Sequence, residues 1–292
     1  MRLFLLTCVT MIAFAANSVL TRVALADGRI GPADFSAIRL ASAAMVLFVL
    51  VWLRGGQFDL GRPGRWRGVL ALTVYVIGFS FAYVSLPAGV GALILFGAVQ
   101  VTMFTAALRG SDKIPRRRLI GAAVAFCGLI WLMWPTGGAA PNLPGAGLMV
   151  LAGIGWGAYS IHGRAVRDPT AETAANFMLA VPFGLAALLI ANEPLPTAYG
   201  IGLALTSGIL TSGLGYALWY RILPRMQTST AAIAQLTVPV IAAAAGVALM
   251  GEAVTTRLAI AAVLVISGVA ASLRPDRRPG RANGAVKPAG RE

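Results

Sequence analysis

Asn17, Gln100, Trp156, Tyr159, His162 and Gln235 stand in stretches that are otherwise mostly Ala, Gly, Leu, Val and Ile. Tyr75, Phe79 and Tyr83 add an aromatic stripe at i, i+4, i+8, and Phe96 lies one helical turn before Gln100. Amide, phenol and indole groups can hold a solute, but they do not by themselves make or break its bonds. An amide in hydrocarbon is unfavourable unless it is paired or faces water. Each of these residues therefore has two readings, lining a solute path or packing against a neighbouring helix, and the aromatic stripe can also face lipid. Gln100 reads as a cavity or gate residue, and Gln235 with Thr237 has either role. Trp156 sits at the centre of its apolar run with Tyr159 one turn on, and both polar tips need partners. His162, the single histidine, is either a helix–helix hydrogen bond or a pH-sensitive gate.

Reactive chemistry has little support. An enzyme would need His, Asp, Cys or Glu clustered at catalytic spacing, and no such cluster is present. Cys8 and Cys127 both fall in apolar runs and read as buried small apolar residues rather than a disulfide. One histidine and no cysteine cluster argue against a metal, and no cofactor is expected. All ten acidic residues lie in loops, in the tail or at helix ends. Without a mid-membrane carboxylate, facilitated exchange or downhill export fits better than ion-coupled transport. A scaffold or receptor with a dry interior is the non-transporting alternative.

These side chains must be held by membrane helices. Hydrophobic residues make up 58% of the 292, charged residues 12%, and mean hydropathy is +0.79. A soluble domain carries about 25% charged residues, so the chain reads as an all-α integral membrane protein. At about 20 apolar residues per span, ten transmembrane helices are expected, roughly at 3–25, 33–53, 67–86, 89–108, 118–134, 146–166, 172–191, 197–222, 229–250 and 257–273. The tail 274–292 is basic, rich in Pro and Gly, and expected to be disordered and cytoplasmic.

The net charge of +14 reads as topology, because the basic residues sit in short loops with no nucleic-acid-binding pattern. Alternate loops, the start and the tail hold 20 of the 24 Lys and Arg, while the opposite loops hold Arg29 and Arg257. The positive-inside rule then puts both termini in the cytoplasm. Only Lys113 and Lys287 are lysines, a composition that suggests a GC-rich bacterial genome and hence the bacterial cytoplasmic (inner) membrane.

Arg39 lies about 10 Å into the second helix at 1.5 Å per residue. It is read as pairing with Asp34 or backbone carbonyls, with a solute carboxylate as the alternative partner. Arg22 can snorkel to the outer interface, and Glu252 reads as a cap on its short outer turn. Trp52, Trp66, Trp131, Trp134 and Trp219 read as an aromatic belt, as do Tyr216 and Tyr220. The glycines of "GIGWG" (153–157) and "GILTSGLGY" (208–216) provide small faces for close helix packing.

The chain also repeats. "AGVGALILFGAVQVTMFTAALRG" (88–110) parallels "STAAIAQLTVPVIAAAAGVALMG" (229–251), and "NSVLTR" (17–22) parallels "YSIHGR" (159–164). The second echo argues that the first apolar stretch is a retained helix rather than a signal peptide. Residues 1–135 and 146–273 are thus expected to form two five-helix repeats joined by a linker at 136–145. Five is odd, so the second repeat must enter the membrane from the opposite side. Inverted repeats place a solute site near the midplane between them.

Ten helices as five plus five, Asn17 and Arg22 in the first helix, Arg39 in the second, and "LTVPV…LMGEAVT" (236–255) together resemble the drug/metabolite transporter superfamily, EamA type. Within that superfamily the chain looks most like the YddG-type amino-acid exporters. Pro239 of the second repeat is matched by Ala98 in the first, a departure from the pattern. The resemblance implies a basket of helices around a central cavity, lined by helices 1, 3, 4, 6, 8 and 9, with the last helix of each repeat peripheral. It also implies export of small organic solutes such as amino acids by alternating access. Another metabolite or drug class, nucleosides or lipophilic cations, is the alternative cargo. The expected partners are that small molecule and the lipid bilayer, with the protein acting as a monomer.

Overall fold

A computed structural model of the chain describes residues 1–108, 116–134, 141–163, 166, 168–226 and 234–273. Part of the expected linker and the whole tail lie outside these residues. Those described form ten helices and no strand. They are α1 (Arg2–Ala26), α2 (Pro32–Trp52), α3 (Arg65–Tyr83), α4 (Ala88–Leu108), α5 (Arg116–Met133), α6 (Leu143–Gly163), α7 (Pro169–Ile190), α8 (Ala198–Arg225), α9 (Thr237–Met250) and α10 (Thr256–Leu273). Nine of these start and stop within three residues of the expected spans. For the ninth, residues 229–233 lie outside the described residues, Ala234 and Gln235 are helical, a turn falls at Leu236, and the helix runs on from Thr237 to Met250. Pro239 is then its third residue, where a missing N–H costs least.

Six of the ten are long and apolar enough to cross a membrane: α1, α2, α3, α4, α7 and α8. The apolar cores of α5, α9 and α10 are shorter. α6 has 21 residues, but its glycines, Trp156, Tyr159 and His162 dilute its apolar character. Such a helix suits the inside of a bundle better than a lipid face. It packs between α3 and α4. A Cβ on Gly155 would lie 2.7 Å from the Ala71 carbonyl oxygen, so glycine sets how closely α6 meets α3.

The helix contacts exchange when the first five helices are swapped for the last five. α2 packs on α7, α4 on α9 and α5 on α10, each with its own counterpart. The α3–α6 contact maps onto α8–α1, α4–α6 onto α9–α1, and α2–α8 onto α7–α3. α5 and α10 pack mainly on each other at one side. Cys127 is exposed on α5 and Cys8 half-buried on α1, so neither is the buried residue expected. An apolar neighbourhood in sequence does not distinguish a face turned to the bundle from one turned to lipid.

Caps tie the ends together. Asp168 accepts from the Thr170 and Ala171 amides to start α7, and Thr197 accepts from Gly200 N to start α8. Thr197 also bonds the Arg29 carbonyl through both its N–H and its hydroxyl, each at 2.8 Å. The Glu193 carboxylate accepts from Ala33 N and Asp34 N at the start of α2. Glu252 does the same for Ala88 N at the start of α4. The loops at 27–31, 84–87, 191–197 and 251–255 therefore meet at one end of the bundle, the end poor in Arg.

Candidate functional site

α8 leaves ordinary α geometry between Ser207 and Leu214, where i→i+5 bonds add about one residue to the turn. The wider turn brings Ser207, Thr211 and Ser212 into one polar layer. Ser207 donates to Asn17 Oδ1 at 2.7 Å, and Thr211 Oγ1 lies 3.0 Å from the same oxygen. Arg39 Nε donates to Ser212 Oγ at 2.8 Å. A Cβ on Gly208 would lie 2.7 Å from the Arg39 carbonyl, so glycine permits this approach of α8 to α2.

α3 completes the layer through Tyr75. Its hydroxyl oxygen accepts from Arg39 Nη2 at 2.9 Å and more weakly from Asn17 Nδ2 at 3.4 Å. The Tyr216 hydroxyl is 3.1 Å away. The guanidinium also lies over the Tyr75 and Phe79 rings, 5.2 and 5.0 Å from their centroids. Arg39 is fully buried, and among the described residues it makes no ion pair. Its Nη1 has no hydrogen-bond partner.

An aromatic cluster packs against this layer. The Trp156 ring is 5.1 Å from Tyr75, 4.9 Å from Tyr216, 5.9 Å from Tyr159 and 6.1 Å from Phe14, centroid to centroid. Between them remains a void of about 10 Å³, lined by Asn17, Ser18, Tyr75, Phe79, Phe96, Trp156 and Tyr216 among others. That is room for about one water. The expected central cavity is therefore closed in this structure, because aromatic rings fill it. A second void of similar size, near the Arg-rich end, is lined by Tyr159, His162, Glu172, Asn176 and Tyr220 among others. Tyr159 Oη is buried there with no hydrogen-bond partner.

Polar clamps lie beyond each void. At the Arg-poor end Arg22 Nε meets Glu252 Oε1 at 3.3 Å, while Arg22 Nη1 donates to the Tyr83 and Val84 carbonyls at 3.0 and 2.9 Å. This joins α1, the α3–α4 turn and the α9–α10 turn. At the Arg-rich end Arg65 Nη2 meets Glu172 Oε2 at 3.1 Å, and its Nη1 donates to Asn176 Oδ1 at 3.2 Å. Arg65 also reaches the Asp59 carbonyl, and Arg62 pairs with Glu172 at 3.3 Å. This clamp joins α3 to α7.

Of the residues singled out from sequence, Asn17, Tyr75, Phe79, Phe96 and Trp156 line the central void. Tyr83 lies toward the Arg-poor end, buried, with its hydroxyl donating to the Ala88 carbonyl at 3.2 Å. Tyr159 lines the second void, as does His162, which is exposed. Gln100 and Gln235 are half-buried and line neither void. Replacing Gln100 with Ala is thus expected to leave solute flux within about twofold of the parent, in the range of substitutions away from packed or paired groups. Flux assays in proteoliposomes check this.

Several expectations are corrected. Arg39 pairs with Tyr75 and Ser212, not with Asp34 or a carbonyl. Tyr216, Tyr220 and Trp219 are buried rather than in a belt, and Trp219 packs on Phe14 at 5.8 Å. Trp52, Trp66, Trp131 and Trp134 are exposed near helix ends. Arg22 is held by Glu252 and two carbonyls rather than snorkelling, and Glu252 caps α4 rather than its own turn.

Residues 1–134 and 143–274 match the EamA-like transporter family. The chain is 46% identical over 282 residues to an uncharacterized protein of Pseudomonas aeruginosa, covering 96% of this chain and 97% of that one. A probable amino-acid metabolite efflux pump of Salmonella typhimurium is 26% identical over 217 residues, covering 68% of this chain and 73% of the pump. A solved crystal structure superposes with a TM-score of 0.63 at 22% identity, covering 91% of this chain and 98% of that one.

Proposed function

The chain belongs to the EamA-like transporter family, and we propose that within it the protein exports small organic solutes, amino acids foremost, by alternating access between two inverted five-helix repeats. It is a multi-pass membrane transporter and not an enzyme. The efflux-pump name of the Salmonella relative supports amino acids as cargo. One observation carries the location of the site. A fully buried arginine, an asparagine and two tyrosine hydroxyls converge at the junction of α1, α2, α3 and α8, beside Trp156. Intramembrane ionisable groups of this kind mark solute paths.

The two clamps give alternating access a physical form. Release of Arg22 from Glu252 would open the Arg-poor end, and release of Arg65 from Glu172 the Arg-rich end. In this reading the arrangement with both clamps closed is the step between them. The positive-inside charge bias supports a cytoplasmic Arg-rich end in a bacterial inner membrane, and the proposed working unit is the monomer. A lipophilic cation fits poorly, since it would approach a buried Arg39 that has no counter-charge.

The test is reconstitution in liposomes with labelled amino acids, nucleosides and lipophilic cations, measured with and without a pH gradient. Amino-acid flux that persists without the gradient is expected. Flux of another class alone would overturn the proposal.

A further inference from the structure

Counting hydrogen-bond donors and acceptors in the central cluster exposes an imbalance. Asn17 Oδ1 already accepts from Ser207, while the single Thr211 hydroxyl proton is shared between the Ser207 carbonyl at 2.6 Å and the same Oδ1 at 3.0 Å. Tyr75 and Tyr216 bring two hydroxyl protons but share one bond between them, and Tyr75 Oη already accepts from Arg39. Whichever phenol donates, the other keeps a proton with no acceptor recorded for it. Arg39 Nη1 is buried and unpartnered. The second N–H of Asn17 Nδ2 also has no recorded acceptor. The cluster thus holds a surplus of donors and one unneutralised positive charge, and among the described residues no Asp or Glu side chain is bonded to it.

A buried charge left unpaired is costly, as is a buried donor without an acceptor. Both costs are relieved by a ligand that brings acceptors and a negative charge. A carboxylate does so with two oxygens and about four lone-pair sites. The surrounding wall is apolar and aromatic, formed by Phe14, Phe79, Phe96 and Trp156. Among the described residues that line it, none is acidic to pair with an ammonium.

We propose that the central cluster recognises the carboxylate of an apolar or aromatic solute. Tyr75, Tyr216 and Asn17 are the donors that reach it, and Arg39, one layer behind, supplies the charge that balances it. The inference rests on the transport reading and sharpens its substrate class. A carboxylate is required and an α-amino group is not, so simple monocarboxylates bind alongside amino acids.

The experiment compares three probes on the purified full chain: L-phenylalanine, 3-phenylpropanoate and L-phenylalaninamide. Binding is read by thermal shift and, separately, by competition against labelled phenylalanine in proteoliposomes. Both acids are expected to bind at least about tenfold more tightly than the amide, a factor set by about 1.4 kcal/mol. Arg39→Gln should cut that preference to about threefold or less, while Arg39→Lys keeps most of it, because the charge remains. If Arg39→Gln fails to fold, the probe comparison on the parent chain still decides. An amide that binds as tightly as the acids, or acids that do not bind at all, would overturn the proposal. Acids that bind but are not carried would count against export while leaving carboxylate recognition intact.

Discussion

Trp156→Ala is expected to lower solute flux at least about tenfold and to destabilise the protein by about 3 kcal/mol. Trp156 is 3% exposed and its ring lies among Phe14, Tyr75, Tyr159 and Tyr216. Truncating a buried tryptophan costs about 3–5 kcal/mol through lost transfer energy and the cavity left behind. The lower end is expected here, because the Tyr75 and Tyr216 hydroxyls and Asn17 line the space and let water enter it. The flux loss has a separate cause. The indole packs against both tyrosines whose hydroxyls meet at 3.1 Å, so its removal frees them to turn and breaks the donor geometry that a solute meets. Trp156→Phe should recover part of both losses. Thermal melts and proteoliposome flux on the same samples check this, and unchanged flux for Trp156→Ala would mean the indole only packs.

Loss of the Arg22–Glu252 clamp is the second large effect. Glu252 joins two jobs, capping α4 through Ala88 N at 2.8 Å and pairing with Arg22. Their side chains are 14% and 19% exposed, so the pair is shielded more than a surface bridge, which is worth about 0–1 kcal/mol. Full burial would make breaking it cost about 3–5 kcal/mol. Arg22 keeps two carbonyl partners, which brings the expected loss for Glu252→Met to about 1–3 kcal/mol. The double variant Arg22→Met/Glu252→Met should lose less than the sum of the singles, by about 1 kcal/mol in a double-mutant cycle. Glu252→Met should also raise the reactivity of a thiol probe at the Arg-poor end, as the closed state loses its tie. Additive losses in the cycle would show that the two residues act separately.

The helices were legible because hydropathy and loop charge are one-dimensional signals. Nine of the ten helices lie within three residues of their expected bounds, and the ninth ends where expected while the start of its span lies outside the described residues. Asn17, Tyr75 and Trp156, singled out in the sequence, meet around one void, since counting residues sets how far along its helix each side chain lies. The direction in which a side chain points was harder to read. Cys127 and Gln100 sit at depths like those of core residues, but one is exposed and the other half-buried outside the central void. The same uncertainty hid Tyr216, Tyr220 and Trp219, whose nearness to a helix end suggested a belt although they face inward.

The pairing of Arg39 with Ser212 and the roles of the Ser207 and Thr211 hydroxyls were missed for a different reason. Their convergence depends on the i→i+5 turn in α8. A pattern built on 3.6 residues per turn does not contain that turn. "GILTSGLGY" offered only small residues and hydroxyls, which suit close packing equally well. A clue was the lack of a carboxylate facing Arg39 across the midplane, which favours hydroxyl partners.

The most direct test of a solute site at this cluster uses Ser18, which is 1% exposed and lines the central void. Ser18→Cys is introduced into a chain whose Cys8 and Cys127 are replaced by Ser, and reacted with a membrane-impermeant methanethiosulfonate from either side of sealed proteoliposomes. Alternating access through the cluster predicts modification from both sides, slowed from both by a transported amino acid. A thiol that never reacts, or whose reaction the solute does not slow, would contradict it.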